Sequence, residues 1–115
     1  MSLPILTIRL AVSLVMISFG ISQVLNPSPW IEEYMPEFLK KIPNISPTLI
    51  MRMHSLGNIA LGIMFLLGLF TRTGSIITLI WWLSILPFAF YGSWKTGVRD
   101  LAIIASILAV LLLQS

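Results

Sequence analysis

Cysteine is missing from this chain altogether, which excludes disulfides, thiolate metal sites and dithiol redox chemistry. Charge is nearly missing too. Asp, Glu, Lys and Arg make up 10% of the 115 residues, against about 25% in a soluble domain. Histidine occurs once, at His54. One imidazole with scattered carboxylates lacks the ligand cluster that a transition metal needs, so no metal site is expected. A basic cluster is also missing. The net charge is +3, but the seven Lys and Arg are spread along the chain, which argues against a nucleic-acid partner.

What is present is apolar. Hydrophobic residues reach 57% and the mean hydropathy is +0.99. A soluble core of this size cannot hide so much apolar surface. No charged residue falls between Leu10 and Ile31, between Met53 and Thr71, between Thr73 and Trp94, or from Leu101 onward. A bilayer core of about 30 Å takes roughly 20 apolar residues as a helix. The first three runs meet that length, and the fourth does if it starts near Gly97. The chain therefore reads as a multi-pass integral protein of a cell or inner membrane. No basic leader precedes the first run and no small-residue cleavage site follows it, so it reads as a retained helix rather than a secretory signal.

The expected architecture is all-α: one transmembrane domain over residues 1–115, folded as an antiparallel, left-handed four-helix bundle with crossings of about 20°. Helices are expected over about 3–25, 48–70, 74–91 and 98–113. The fourth is barely long enough to span and would sit best beside a partner. Residues 26–47 form one long loop holding Pro27, Pro29, Pro36, Pro43 and Pro47, which rules out a single helix there. Its Trp30 and Tyr34 suit headgroup depth. Pro87 is expected to kink the third helix, and Gly92 to Gly97 to form the last turn. Lys40, Lys41, Arg52, Lys95 and Arg99 fall on the long-loop side, with Arg9 and Arg72 opposite. The excess favours the long loop in the cytoplasm.

Function has to be argued from the few polar groups carried into lipid. Arg9, Ser13, Met16, Gly20 and Gln23 recur at steps of four and three. They draw one stripe on the first helix, suited to packing inside a bundle. Gly62 is the matching small residue on the second, where His54 and Asn58 share a face one turn apart. Topology collects Gln23, Arg52, His54, Asn58, Tyr91 and Asp100 at the long-loop end. Asp100 has Arg52, Lys95 and His54 as candidate partners. Ionisable groups at membrane depth are costly and mark a candidate ligand site, with a structural lock between helices as the alternative. His54 and Asp100 are the candidates for proton transfer. Trp81 and Trp82 sit mid-helix, where at least one, taken as Trp82, can line the interior beside a flat ring such as a quinone.

The run Asn58-x3-Gly62-x3-Leu66-Leu67-Gly68-Leu69-x-x-Arg72 resembles the signature region of the DoxX-like four-helix membrane proteins. Arg9, Gly20, Gln23, Pro27 and Arg99-Asp100-Leu101 add to the likeness. Two positions depart from it. Gln23 stands where the family commonly has Lys, and Asn58 where it commonly has Glu, so an ionisable pair is replaced by neutral amides. The resemblance implies a link to thiosulfate:quinone oxidoreductase subunits and membrane redox assemblies.

The reading that leads from sequence is a non-catalytic accessory subunit of a larger respiratory or redox complex, in contact with lipids and other integral subunits. It carries no cofactor of its own beyond a quinone or a bound lipid. The alternatives are a quinone-binding oxidoreductase subunit and a small oligomeric transporter or channel. Four helices leave little lumen for the last of these, and no acidic pore-lining row is evident.

Overall fold

The computed structural model describes residues 2–68 and 71–113, all helix and connections with no strand among them. α1 spans Leu3–Leu25, with Ser2 as N-cap and Pro4 in the first turn. Two short helices follow in the connection, α2 over Ser28–Tyr34 and α3 over Glu37–Lys40. Met35 ends α2 in an extended conformation, as a residue before proline prefers. α4 runs over Pro47–Leu67, capped by Ser46, whose hydroxyl accepts from the Leu49 N–H at 3.1 Å. α5 covers Thr71–Gly92 and α6 covers Trp94–Leu113. Four of these helices, α1, α4, α5 and α6, are long and apolar enough to cross a membrane. The molecule is 46 Å long, close to the roughly 40–45 Å of a bilayer with its headgroups.

Several boundaries differ from the sequence reading, among them the start of α5, which is helical from Thr71 rather than from residue 74. α4 stops at Leu67 rather than at residue 70, because Gly68 turns left-handed at φ 67° and its N–H closes back on Met64 and Phe65. Such a glycine ends a helix without a Cβ penalty. The expected turn over 92–97 shrinks to Ser93. Its hydroxyl accepts from the Lys95 N–H at 3.2 Å and starts α6 at once. Gly97 is not a turn residue but a buried helix position against the Phe90 ring. α6 is therefore 20 residues long and spans about 30 Å on its own, so the argument for a partner from a short last helix lapses. α5 continues as helix through Pro87.

The bundle is polar inside and apolar outside. Leu10, Leu14, Leu56, Ile80 and Leu101 are exposed, while Arg9, Ser13, Gln23, Ser55, Asn58, Thr78 and Asp100 are buried. That inversion suits lipid as solvent. The central core is Val12, Met16, Phe65, Trp82, Ile104, Ile107 and Val110. α1 packs along α4 and α5 along α6, with α1–α6 and α4–α5 contacts joining the two pairs.

Small residues bring α1 and α4 together. Gly20 faces the carbonyl of Ser55, and Gly62 faces Met16 and Ile17. A Cβ on Gly20 would lie 2.5 Å from Ile59 Cγ1 and 2.8 Å from the Ser55 carbonyl oxygen. Gly20→Ala should therefore cost about 1–3 kcal/mol, the usual range for overpacking. Thermal unfolding in detergent micelles checks this. An unchanged midpoint would mean that the two helices part without penalty.

Arg9 anchors the far end. It is 1% exposed. Its Nη1 donates to the Phe65 carbonyl at 2.8 Å, and the guanidinium lies 4.7 Å from the Phe65 ring centroid. The Phe65 carbonyl, which also accepts from the Gly68 N–H at 3.2 Å, lies at the negative end of α4 and has a second lone pair, so a cation is well placed there.

Candidate functional site

The site begins with the geometry of α4. Its buried positions are Met51, Ser55, Asn58, Gly62 and Phe65, at steps of four and three. Asn58 is thereby held inside the bundle, where it joins three other side chains. Trp81 Nε1 donates to Asn58 Oδ1 at 2.7 Å. An indole N–H can only donate, which fixes the amide: oxygen toward Trp81, nitrogen toward α1 and His54. Asn58 Nδ2 then donates to Gln23 Oε1 at 3.0 Å and approaches His54 Nε2 at 3.4 Å. The amide nitrogen can only donate, so this contact is a hydrogen bond in the tautomer that carries its ring proton on Nδ1. The His54 ring stacks flat on Trp81, 5.0 Å between centroids and 6° from parallel. Gly57 makes room for Trp81, because a Cβ there would meet the outer edge of the indole.

A partly open cavity of about 230 Å³ lies beside this network. Gln23, His54 and Asn58 line it from α1 and α4, Trp82, Ile85, Phe88 and Ala89 from α5, and Thr96, Arg99 and Asp100 from α6. The connection between α1 and α4 covers it with Trp30, Tyr34, Met35 and Leu39. Two hydrogen bonds fasten that cover: Trp30 Nε1 donates to Ser22 Oγ at 3.1 Å, and the Tyr34 and Thr96 hydroxyls meet at 3.2 Å. The volume exceeds the roughly 150 Å³ cavity that takes up benzene and falls short of the roughly 300 Å³ at which drug-sized pockets start. It suits one substituted ring.

Among the described residues, the only carboxylate in the wall is Asp100. Arg99 Nε and Nη2 both reach Asp100 Oδ1 at 3.0 Å. The guanidinium lies 4.7 Å from the Phe19 ring centroid. The pair joins a buried carboxylate to a half-exposed cation, so the acid is compensated where it enters the bundle.

Of the residues singled out from sequence, the structure brings Gln23, His54, Asn58, Trp82 and Asp100 to this cavity. Arg52 and Tyr91 stay outside it. Arg52 sits one residue round from the buried Met51 and is exposed. Tyr91 is two positions past the buried Ala89, about 200° round the helix, and is 56% exposed. Asp100 pairs with Arg99, not with the expected Arg52, Lys95 or His54. Ser13, Gly20 and Gly62 are buried away from the cavity, within the bundle. Sequence reasoning named Trp81 beside Trp82 but took only Trp82 as a wall residue, and it missed Arg99 as the partner of Asp100 and the cover residues as part of the site. Trp30 and Tyr34 carried a signal, but it was read as headgroup anchoring. Among the described residues no three His, Cys, Asp or Glu side chains come together as a metal site.

A family model described as DoxX matches residues 5–92. The match takes in α1, both short helices, α4 and α5, and so most of the residues that build the cavity. Leu69, in the signature run, lies outside the described residues. No curated protein and no solved structure matches the chain.

Proposed function

We propose, on the premise that this chain belongs to the DoxX family, that it is an antiparallel membrane bundle whose cavity binds a lipid-soluble quinone-class molecule. The observation that carries this reading is the cavity: room for one ring, aromatic and aliphatic walls, and an amide–imidazole–indole network at one side. Largely apolar walls with a few placed polar groups are how small-molecule sites are built. The chain's own part is to bind and orient the ring, since it has no thiol and its key pair is neutral. A quinone-class molecule should be extracted from protein purified in mild detergent, near one per chain. Recovery of phospholipid alone would contradict the reading.

A second reading, the accessory subunit of a membrane redox complex, is favoured by the Gln23–Asn58 pair. Where its relatives commonly carry charge, this chain has a fixed amide hydrogen bond at 3.0 Å, a contact worth about 0.5–2 kcal/mol in membranes. Co-purification with other integral subunits in fixed stoichiometry supports it, and free monomers alone count against it. The two readings are compatible, because a subunit can contribute a ligand pocket.

The cavity end of the bundle faces the cytoplasm in this account, following the excess of Lys and Arg there. The chain has no cysteine of its own, so single ones report cleanly. A thiol reagent that cannot cross membranes should label Lys41→Cys from the cytoplasmic side and Arg72→Cys from the other. The reverse pattern would invert the orientation.

A further inference from the structure

We infer that the segment from Pro27 to Ser46 is a gate: it lifts to admit the ring ligand and closes over it, with the Tyr34–Thr96 contact as its latch. The inference rests on the ligand reading above and adds the route by which the ligand enters.

The segment is built as a part that can lift. It lies over the cavity, with Trp30, Tyr34, Met35 and Leu39 in the wall. Its helices α2 and α3 have 7 and 4 residues and bury no side chain. Helices so short are not stable by themselves. Only Met35, between them, is buried. The backbone bends at both ends and in the middle. Asn26 leaves α1 in a non-helical conformation, Met35 is extended, and Asn44 is left-handed at φ 64°. Hinges are a few such residues at element ends.

What holds the segment down is local. The Tyr34 hydroxyl meets that of Thr96 on α6 at 3.2 Å. The Tyr34 ring sits on Gly92 at the end of α5, where a Cβ would run into it. Trp30 packs between Phe19 and Tyr34, with ring centroids 5.3 and 5.6 Å away, and donates to Ser22 on α1. Lifting the segment breaks two side-chain hydrogen bonds and uncovers Met35. None of the hydrogen bonds that join Gln23, His54, Asn58 and Trp81 goes to it. The binding wall therefore stays assembled while its cover moves. Regions with so few buried contacts open at far lower cost than the fold as a whole.

The test uses the whole chain in detergent micelles. Decylubiquinone is the probe, and its uptake and its release to empty micelles are followed over time. The chain lacks cysteine, so Tyr34→Cys/Thr96→Cys carries its only thiol pair. A bifunctional methanethiosulfonate ties the pair, and dithiothreitol, removed before the assay, unties it. Tying should slow uptake and release by about tenfold or more, and untying should restore both. Equal rates in the two forms would overturn the gate and point to entry between helices, with the ligand reading intact. Gly92→Ala, outside the cavity lining, should push Tyr34 off its seat. Uptake and release should then both rise about fivefold, the scale of one hydrogen bond. A larger open fraction speeds both directions alike, so the dissociation constant should stay within about twofold. A shifted dissociation constant with unchanged release would contradict the gate. If the native chain binds no decylubiquinone saturably, the ligand reading falls and the gate falls with it.

Discussion

Asn58→Leu is expected to cost about 2–4 kcal/mol of stability and to weaken ligand binding by more than about tenfold. Three contacts meet at this side chain: Gln23 Oε1, Trp81 Nε1 and His54 Nε2. Leucine fills much the same space but answers none of them. The Trp81 N–H and the Gln23 carbonyl are then left without partners inside a bilayer, where water does not reach them. Each orphaned group costs about 1–3 kcal/mol in general, and interhelical bonds measured in membranes fall toward or below the low end of that range. The loss of binding has a separate cause. With Asn58 gone, Gln23 and the stacked His54–Trp81 pair are free to turn, so the polar wall no longer holds one arrangement. Unfolding in mixed micelles and ligand titration measure the two effects independently. A stability change under about 0.5 kcal/mol would mean that the network is not a structural hub.

Ala89→Phe is expected to abolish ligand binding while keeping the helices in place. Ala89 is buried in the cavity wall, and the cavity offers about 230 Å³ beside it. A benzyl group there occupies the volume the ligand ring would use. Small-to-large changes in a filled core cost about 1–3 kcal/mol, but here the added group has space to enter. Stability should change by less than about 1 kcal/mol, and ligand recovered per chain should fall to background. Undiminished ligand would show that whatever co-purifies is held elsewhere, on the lipid-facing surface.

Much of this bundle was legible in advance, for a physical reason. Lipid forces charge out of the spans, so the uncharged runs mark the helices directly. The polar stripe on α1 likewise follows from helical spacing: Arg9, Ser13, Met16, Gly20 and Gln23 are all buried. The same spacing was available on α4 and α5. Applied strictly, it would have put Arg52 and Tyr91 outside the cavity, since neither falls on the buried stripe of its helix.

Other features were not legible from spacing. Arg99 and Asp100 are sequence neighbours, which do not face each other on a helix. Their pairing depends on the length of the arginine side chain. Gly97 reads as a turn residue until the Phe90 ring is seen against it. Trp81 and Trp82 cannot be told apart by composition. The structure divides their roles, with one indole N–H bound to Asn58 and the other buried in the core without a hydrogen-bond partner among the described residues. The cover over the site comes from a connection whose aromatic residues suit a membrane interface equally well, so only the tertiary fold reveals its second use.

The most direct measurement is photolabelling with a short-chain azidoquinone in native membranes, followed by peptide mapping of the cross-links. The account predicts label on cavity residues such as Met35, Met51 and Ile85, displaced by excess unlabelled quinone and lost in Ala89→Phe. Label spread over lipid-facing positions such as Leu10, Leu14 and Ile80, without displacement, would contradict it.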